Sequence, residues 1–174
     1  MNNIMLDLET MGTHSGAAIV SIGGVKFGAS GLGEEFYKVI DLASSMKAGL
    51  TLDASTVIWW MKQSEAARKS LTTNKTVSLF NALQEFTKFV GAKKQAKIWG
   101  NGASFDNVLL GNAYDAVNLE RPWEYWNDRC YRTMKAMLGN GIEYVKPTIA
   151  HDALEDAKAQ AVHLCKIMTV IQNG

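Results

Sequence analysis

The sequence predicts an α/β protein with a central mixed five-stranded sheet flanked by helices. Two patterns carry this reading. Three strand-like runs, Ile4–Leu8, Ala18–Phe27 and Glu35–Ile40, follow one another with only turns between them, as in a meander. Short apolar runs at Lys97–Trp99 and Tyr125–Arg129 then alternate with amphipathic helical stretches, which is how parallel strands are joined.

Ile4 to Leu8 is apolar except for Asp7, and Thr10-Met11-Gly12 behind it reads as a turn, so the run is a buried strand. Side chains alternate along a strand, so Asp7 and Glu9 project on one side, Glu9 at the carboxyl end. Gly28-Ala-Ser-Gly-Leu-Gly33 reads as the hairpin turn between the second and third strands. A helical region runs from about Asp53 to Leu71, broken near Gln63-Ser64, and a second helix covers about Thr76–Val90 with Leu79, Leu83, Phe86 and Val90 inward. After strand Lys97–Trp99, a Gly100-Asn-Gly102 turn leads to a helix that opens near Asp106 and continues through Val108, Leu109, Ala113 and Val117. A loop at Glu120-Arg-Pro122 precedes the last strand. A helix over Tyr131–Leu138 and a Gly139-Asn-Gly141 break then lead to a long helix from Asp152 to about Ile171.

With 174 residues, two prolines and no repeat or low-complexity segment, the chain is expected to be one domain, residues 1–174. No run approaches the length of a membrane helix and no basic-then-apolar leader is visible, so a cytoplasmic protein is expected. Cys130 and Cys165 read as reduced, packed thiols. A net charge of +1 argues against a protein that tracks along duplex DNA and suits a site that grips a few nucleotides at a strand end. Lys93-Lys94 reads as a solvated helix end.

Five residues stand in settings that suit chemistry: Asp7, Glu9, Asp106, His151 and Asp156. Paired carboxylates inside an apolar strand repel one another and are costly unless a cation lies between them. Hard oxygen donors without a cysteine cluster or histidine pair select Mg²⁺ or Mn²⁺ over zinc. Two such ions form the clamp used for phosphoryl transfer to water. His151 lies just ahead of the Asp156 helix, where an imidazole with an ordinary pKa near 6.5 can take a proton from the attacking water.

The set Asp7, Glu9, Asp106 and Asp156, with His151 five residues before the last acid, resembles the DEDDh branch of the DnaQ-like 3′→5′ exonucleases along essentially the whole chain. Ala17-Ala-Ile-Val-Ser-Ile-Gly-Gly24, Ser55-Thr-Val-Ile-Trp-Trp60 and Ser64-Glu-Ala-Ala-Arg68 are similar to the small phage and prophage exonuclease VIII-like branch, related to RNase T-like exoribonucleases. The resemblance implies a ribonuclease H-like fold, two Mg²⁺ or Mn²⁺ ions on the four acids, and His151 as general base. It also implies that Glu9, Thr10, Met11 and Gly12 hold the terminal nucleotide, with the apolar side chain wedged between the last two bases. The expected partner is the 3′ end of single-stranded nucleic acid, DNA before RNA, with no membrane; a homodimer is an assembly to test. An exoribonuclease is the alternative, and an endonuclease or a non-catalytic binding module on the same fold are lesser ones.

Other residues have structural as well as functional readings. Adjacent helical positions point about 100° apart, so one of Trp59 and Trp60 belongs to the core and the other is a stacking platform, with Trp60 preferred for the platform. Lys62, Arg68, Lys69 and Lys75 follow them and suit either single-stranded nucleic acid or a solvated face. Phe105, His14 and His163 read as structural, Asp152 as a helix cap, Glu155 as pointing away from Asp156, and Asp128 as a weaker rival acid.

Overall fold

A computed structural model describes residues 1–91 and 94–173. Its strands are β1 (Asn3–Thr10), β2 (Ile19–Gly28), β3 (Gly31–Val39), β4 (Lys97–Gly100) and β5 (Asp128–Cys130). They form one sheet in the order β3-β2-β1-β4-β5. β1, β2 and β3 pair antiparallel, whereas β4 and β5 run parallel to β1, so the sheet is mixed and five-stranded as expected. The carboxyl ends of β1, β4 and β5 therefore share one edge, and the acids collect there.

Helices α1 (Leu42–Lys47), α2 (Ala54–Met61), α3 (Glu65–Leu71), α4 (Leu79–Val90), α5 (Asp106–Ala116), α6 (Tyr131–Leu138) and α7 (Ala153–Asn173) cover both faces. The alternation along β1 assigns the faces. Ile4, Leu6 and Leu8 pack with α4 and α5 through Leu83, Phe86, Leu109 and Tyr114. Met5 points the other way, against Trp99, Tyr131, Ala157, Ala161 and Leu164 of the α6–α7 side. Asp7 and Glu9 share the parity of Met5 and so emerge beneath α7. Trp99 Nε1 anchors this arrangement by donating to Asn3 Oδ1 at 3.0 Å.

The differences from the sequence expectation have local causes. α1 was not foreseen; Asp41 caps it by accepting from the N–H groups of Ala43 and Ser44. α4 begins at Leu79 rather than near Thr76 because Val77 bonds to Val39 and Asp41 across the end of the sheet, and Ser78 caps the helix. β3 begins at Gly31, so the hairpin turn is tighter than the glycine-rich run suggested. Tyr125–Asn127 is a 3₁₀ turn, which leaves only Asp128–Cys130 as strand. Lys94 is not a solvated helix end: it pairs with Glu120, and Lys93 lies outside the described residues. No helix among the described residues is long and apolar enough to cross a membrane.

The consecutive glycines of β2 set the helix spacing. A Cβ at Gly24 would touch Phe86 and Phe89 of α4, whereas one at Gly23 would overlap the Ala153 carbonyl at the start of α7. Gly23 pairs with Asp7 in the sheet, so α7 is brought down beside that carboxylate. Gly23→Ala is expected to destabilise the protein by about 1–3 kcal/mol or more through overpacking. Chemical denaturation measures this, and a variant as stable as wild type would contradict the close approach.

Candidate metal centre and nucleotide pocket

Three elements supply the four acids. Asp7 and Glu9 come from β1, Asp106 opens α5, and Asp156 lies in the first turn of α7. One carboxylate oxygen from each of Asp7, Glu9 and Asp156 lies within 4.8 Å of the others. Asp106 is buried beside this trio, and its charge acts on both Asp7 and Glu9. All four acids expected from the sequence therefore sit together.

Each carboxyl group is pushed above its ordinary pKa. Burial is the first cause for Asp7, and the charges of Asp106, Glu9 and Asp156 add to it. Part of the Asp7 surface faces the site opening, yet protein packs closely enough around it for burial to dominate. Glu9 is pushed up to about 8, again chiefly by burial and then by Asp156. Asp106 is pushed up to about 7 by burial, against a downward pull from the backbone N–H groups of Leu8 and Asn101 and from Arg132. Asp156 is raised by burial and held back by His151. A buried acid cluster whose members resist ionisation together is a donor set that fits divalent cations with hard oxygen preferences.

Specific bonds orient two of the acids. Gln160, buried on α7 one turn past Asp156, donates from Nε2 to Asp7 Oδ1 at 2.9 Å. The backbone N–H of His151 donates to Asp156 Oδ2 at 2.9 Å. His151 adopts φ 63°, which turns its peptide toward Asp156, and its ring meets Trp59 edge-on at 4.9 Å. The imidazole thus stands between the acids and an aromatic wall. Asp152 caps α7 by accepting from the N–H groups of Leu154 and Glu155, as its position suggested. His163 is buried against Tyr131 and the Ile142 carbonyl, and Asp128 accepts from Asn107 and Trp123.

Beside Glu9 lies a cavity of about 400 Å³, lined by Glu9, Thr10, Gly12, Thr13, Trp59 and Phe105 among others. Trp60 forms its inner wall. The expectation that Trp60 is the open platform is reversed: Trp60 is buried and donates from Nε1 to the Thr10 carbonyl at 2.9 Å, whereas Trp59 is 41% exposed. Met11 is also corrected. Its N–H donates to Ala18, its carbonyl accepts from Asp53, and its side chain packs on the core and a separate cavity behind Trp60. Neither its backbone nor its side chain is free to wedge between bases; Gly12 and Thr13 occupy that side of the pocket instead. Asp53 fixes this segment by accepting from Thr13 N–H at 3.0 Å.

Sequence reasoning missed Gln160, Asp53 and Arg132. The spacing from Asp156 to Gln160, one helical turn, was the available signal for the first. Nothing in the sequence marked Arg132, whose charge reaches Asp106.

A sheet of this order, shared with the solved structures below, gives the chain the ribonuclease H-like fold. The chain belongs to the 3′-5′ exoribonuclease Rv2179c-like domain family, which it matches over residues 2–168. It is thus a 3′–5′ exonuclease, as its catalytic motifs implied. An exodeoxyribonuclease of Enterobacteria phage T4 is 26% identical over 166 residues, covering 79% of this chain and 73% of that protein. E. coli exonuclease I, solved with a dA16 oligonucleotide, shares the fold with a TM-score of 0.64 at 16% identity; the match covers 97% of this chain and 40% of that one. Exonuclease X, solved with 5′ overhanging duplex DNA, gives 0.60 at 18% identity, over 97% and 92% of the two chains.

The raised acids predict an inverted pH dependence of stability in EDTA. Glu9 rises from 4.5 to about 8 and Asp106 from 3.8 to about 7, so the folded state holds protons that the unfolded chain has released. Their contribution is complete below the unfolded values and lost as pH climbs through the folded ones. The melting temperature in EDTA should therefore fall between about pH 4 and pH 8, and saturating Mg²⁺ should remove the fall at its upper end. A melting temperature that rises across that range in EDTA would contradict the cluster. The tryptophans are separated by a second test: Trp60→Ala should cost about 3–5 kcal/mol of stability as a buried truncation. Trp59→Ala should leave denaturation nearly unchanged.

Proposed function

We propose that this protein is a metal-dependent 3′–5′ exonuclease that removes nucleoside 5′-monophosphates from single-stranded DNA ends. The convergence of Asp7, Glu9 and Asp156 with Asp106 beside them carries the reading. Asp7, Glu9, Asp106 and Asp156 would hold two Mg²⁺ or Mn²⁺ ions, which supply charge stabilisation at the phosphate and at the leaving 3′-oxygen. The terminal nucleotide occupies the cavity beside Glu9, its base against Trp59 and its 3′-hydroxyl toward the Glu9 carboxylate. Thr10 and Gly12 shape the sugar side, and Trp60 supports this wall from behind. His151, at the pocket edge, accepts the proton of the attacking water and returns it to solvent after the bond breaks.

Single-stranded DNA is preferred because the phage relative is described as an exodeoxyribonuclease and exonuclease I was solved with an oligodeoxynucleotide. RNA is the second reading, favoured by the description of the matched family. The homodimer belongs to the same reading, and light scattering of the purified protein tests it.

End-labelled DNA and RNA oligonucleotides decide the main points. A 5′-labelled single strand should yield a descending ladder with Mg²⁺ or Mn²⁺, EDTA should abolish it, and a 3′-phosphate should block it. Cleavage of a circular strand as fast as a linear one would replace the exonuclease with an endonuclease. Faster trimming of RNA than of DNA would select the second reading. His151→Asn should lower the rate by roughly 10²–10⁴, the usual worth of a general base. Metal binding should survive, because the contact to Asp156 runs through the backbone N–H, which the substitution keeps. Loss of metal affinity in proportion to rate would make His151 a ligand instead.

A further inference from the structure

Arg132 belongs to none of the assigned roles, yet it stands at the edge of the acid cluster. It is exposed on the first turn of α6, directly after β5, and its Nη2 donates to the Asn101 carbonyl at 2.8 Å. The guanidinium lies over Gly102, 3.5 Å from where a Cβ would stand, at a backbone φ of +114° that a side chain would strain. Asn101 joins the two sides of this corner: its carbonyl accepts from Arg132 and its backbone N–H donates toward Asp106. No carboxylate among the described residues lies within ion-pair distance of Arg132, although lysines elsewhere make eight such contacts among those residues. One of its nitrogens is committed to a backbone carbonyl, and no other hydrogen bond of this exposed side chain forms among the described residues.

The sheet order fixes which part of the strand these donors meet. The pocket for the terminal nucleotide lies against the end of β1 and helix α2. Arg132 lies on the opposite flank of the carboxyl edge, past β4 and beside β5. Continued from the pocket across the acids, a strand held by its 3′ nucleotide comes to this flank, where the Arg132 charge reaches Asp106. A guanidinium with no carboxylate partner, anchored to the Asn101 carbonyl beside the acids, is suited to a phosphate.

We propose that Arg132 is a substrate-binding residue that contacts a backbone phosphate upstream of the scissile bond. The proposal rests on the exonuclease reading above. Because the contact is to phosphate, it serves every base sequence equally and sets affinity for the strand more than chemistry.

The test compares wild type, Arg132→Gln and Arg132→Lys on a 5′-labelled oligodeoxynucleotide with Mg²⁺, measuring kcat and KM across a range of salt. Arg132→Gln is expected to raise KM about tenfold, and one lost phosphate contact should make the slope of log KM against log salt shallower by about 0.7. Arg132→Lys should restore the slope while only partly restoring KM, since it keeps the charge and loses the fork. Melting temperatures accompany each variant. If Arg132→Gln leaves KM and the salt slope unchanged, or lowers the melting temperature with the slope unchanged, Arg132 serves only to hold Asn101 and the proposal falls. Failure of the underlying reading shows separately, as wild-type protein that does not shorten the oligonucleotide with metal present.

Discussion

The contact on which the site depends is the meeting of α7 with β2 at Gly23. A helix normally stands off a sheet by the thickness of its side chains, near 10 Å between layers. Here the first turn of α7 reaches the strand backbone because Gly23 offers no Cβ to Ala153. Gly23 is paired with Asp7, so the same approach delivers Asp156 to the β1 acids and places Gln160 against Asp7 Oδ1. Asp106 arrives from the other side of the sheet, where bare backbone at Gly100 leaves space for the start of α5. Small residues in the strands thus allow acids from both helical layers to meet at one edge.

That convergence is unfavourable by itself. Burial raises all four carboxyl groups, and mutual repulsion raises Asp7 and Glu9 further. The surrounding donors are mostly neutral: Gln160, the His151 N–H, and the backbone near Asp106. They orient oxygens without cancelling charge, which leaves the acids able to bind cations. A lysine at the position of Gln160 would neutralise Asp7 and compete with an ion for it. Arg132, the basic neighbour, keeps to the Asn101 corner outside the trio formed by Asp7, Glu9 and Asp156.

Much of this was legible in the sequence because the motifs coincide with secondary structure. Asp7 and Glu9 interrupt an apolar run, and period-2 alternation alone puts them on one face. Helix α6 was read at its observed limits, and α7 nearly so, because glycine breaks and an aspartate cap bound them. What failed depended on tertiary contacts. Adjacent helical positions gave no means of ranking Trp59 against Trp60; the bond from Trp60 Nε1 to the Thr10 carbonyl decides it. Met11 looked free because it follows the acids, but its backbone is consumed by Ala18 and Asp53, residues remote in sequence. α1 escaped notice because a six-residue helix is too short for its periodicity to register. Arg132 reaches the site only through the pairing of β4 with β5.

The fold holds partly protonated acids in readiness for divalent cations. Proton release on metal binding tests it most directly. Mn²⁺ is titrated calorimetrically into the apo protein at pH 7 in two buffers of different ionisation enthalpy, and the titration is repeated at pH 9. With Glu9 at about 8 and Asp106 at about 7, binding at pH 7 should expel protons, and the release should shrink markedly at pH 9. Tight binding with no proton release at pH 7, or no binding at either pH, would contradict the account.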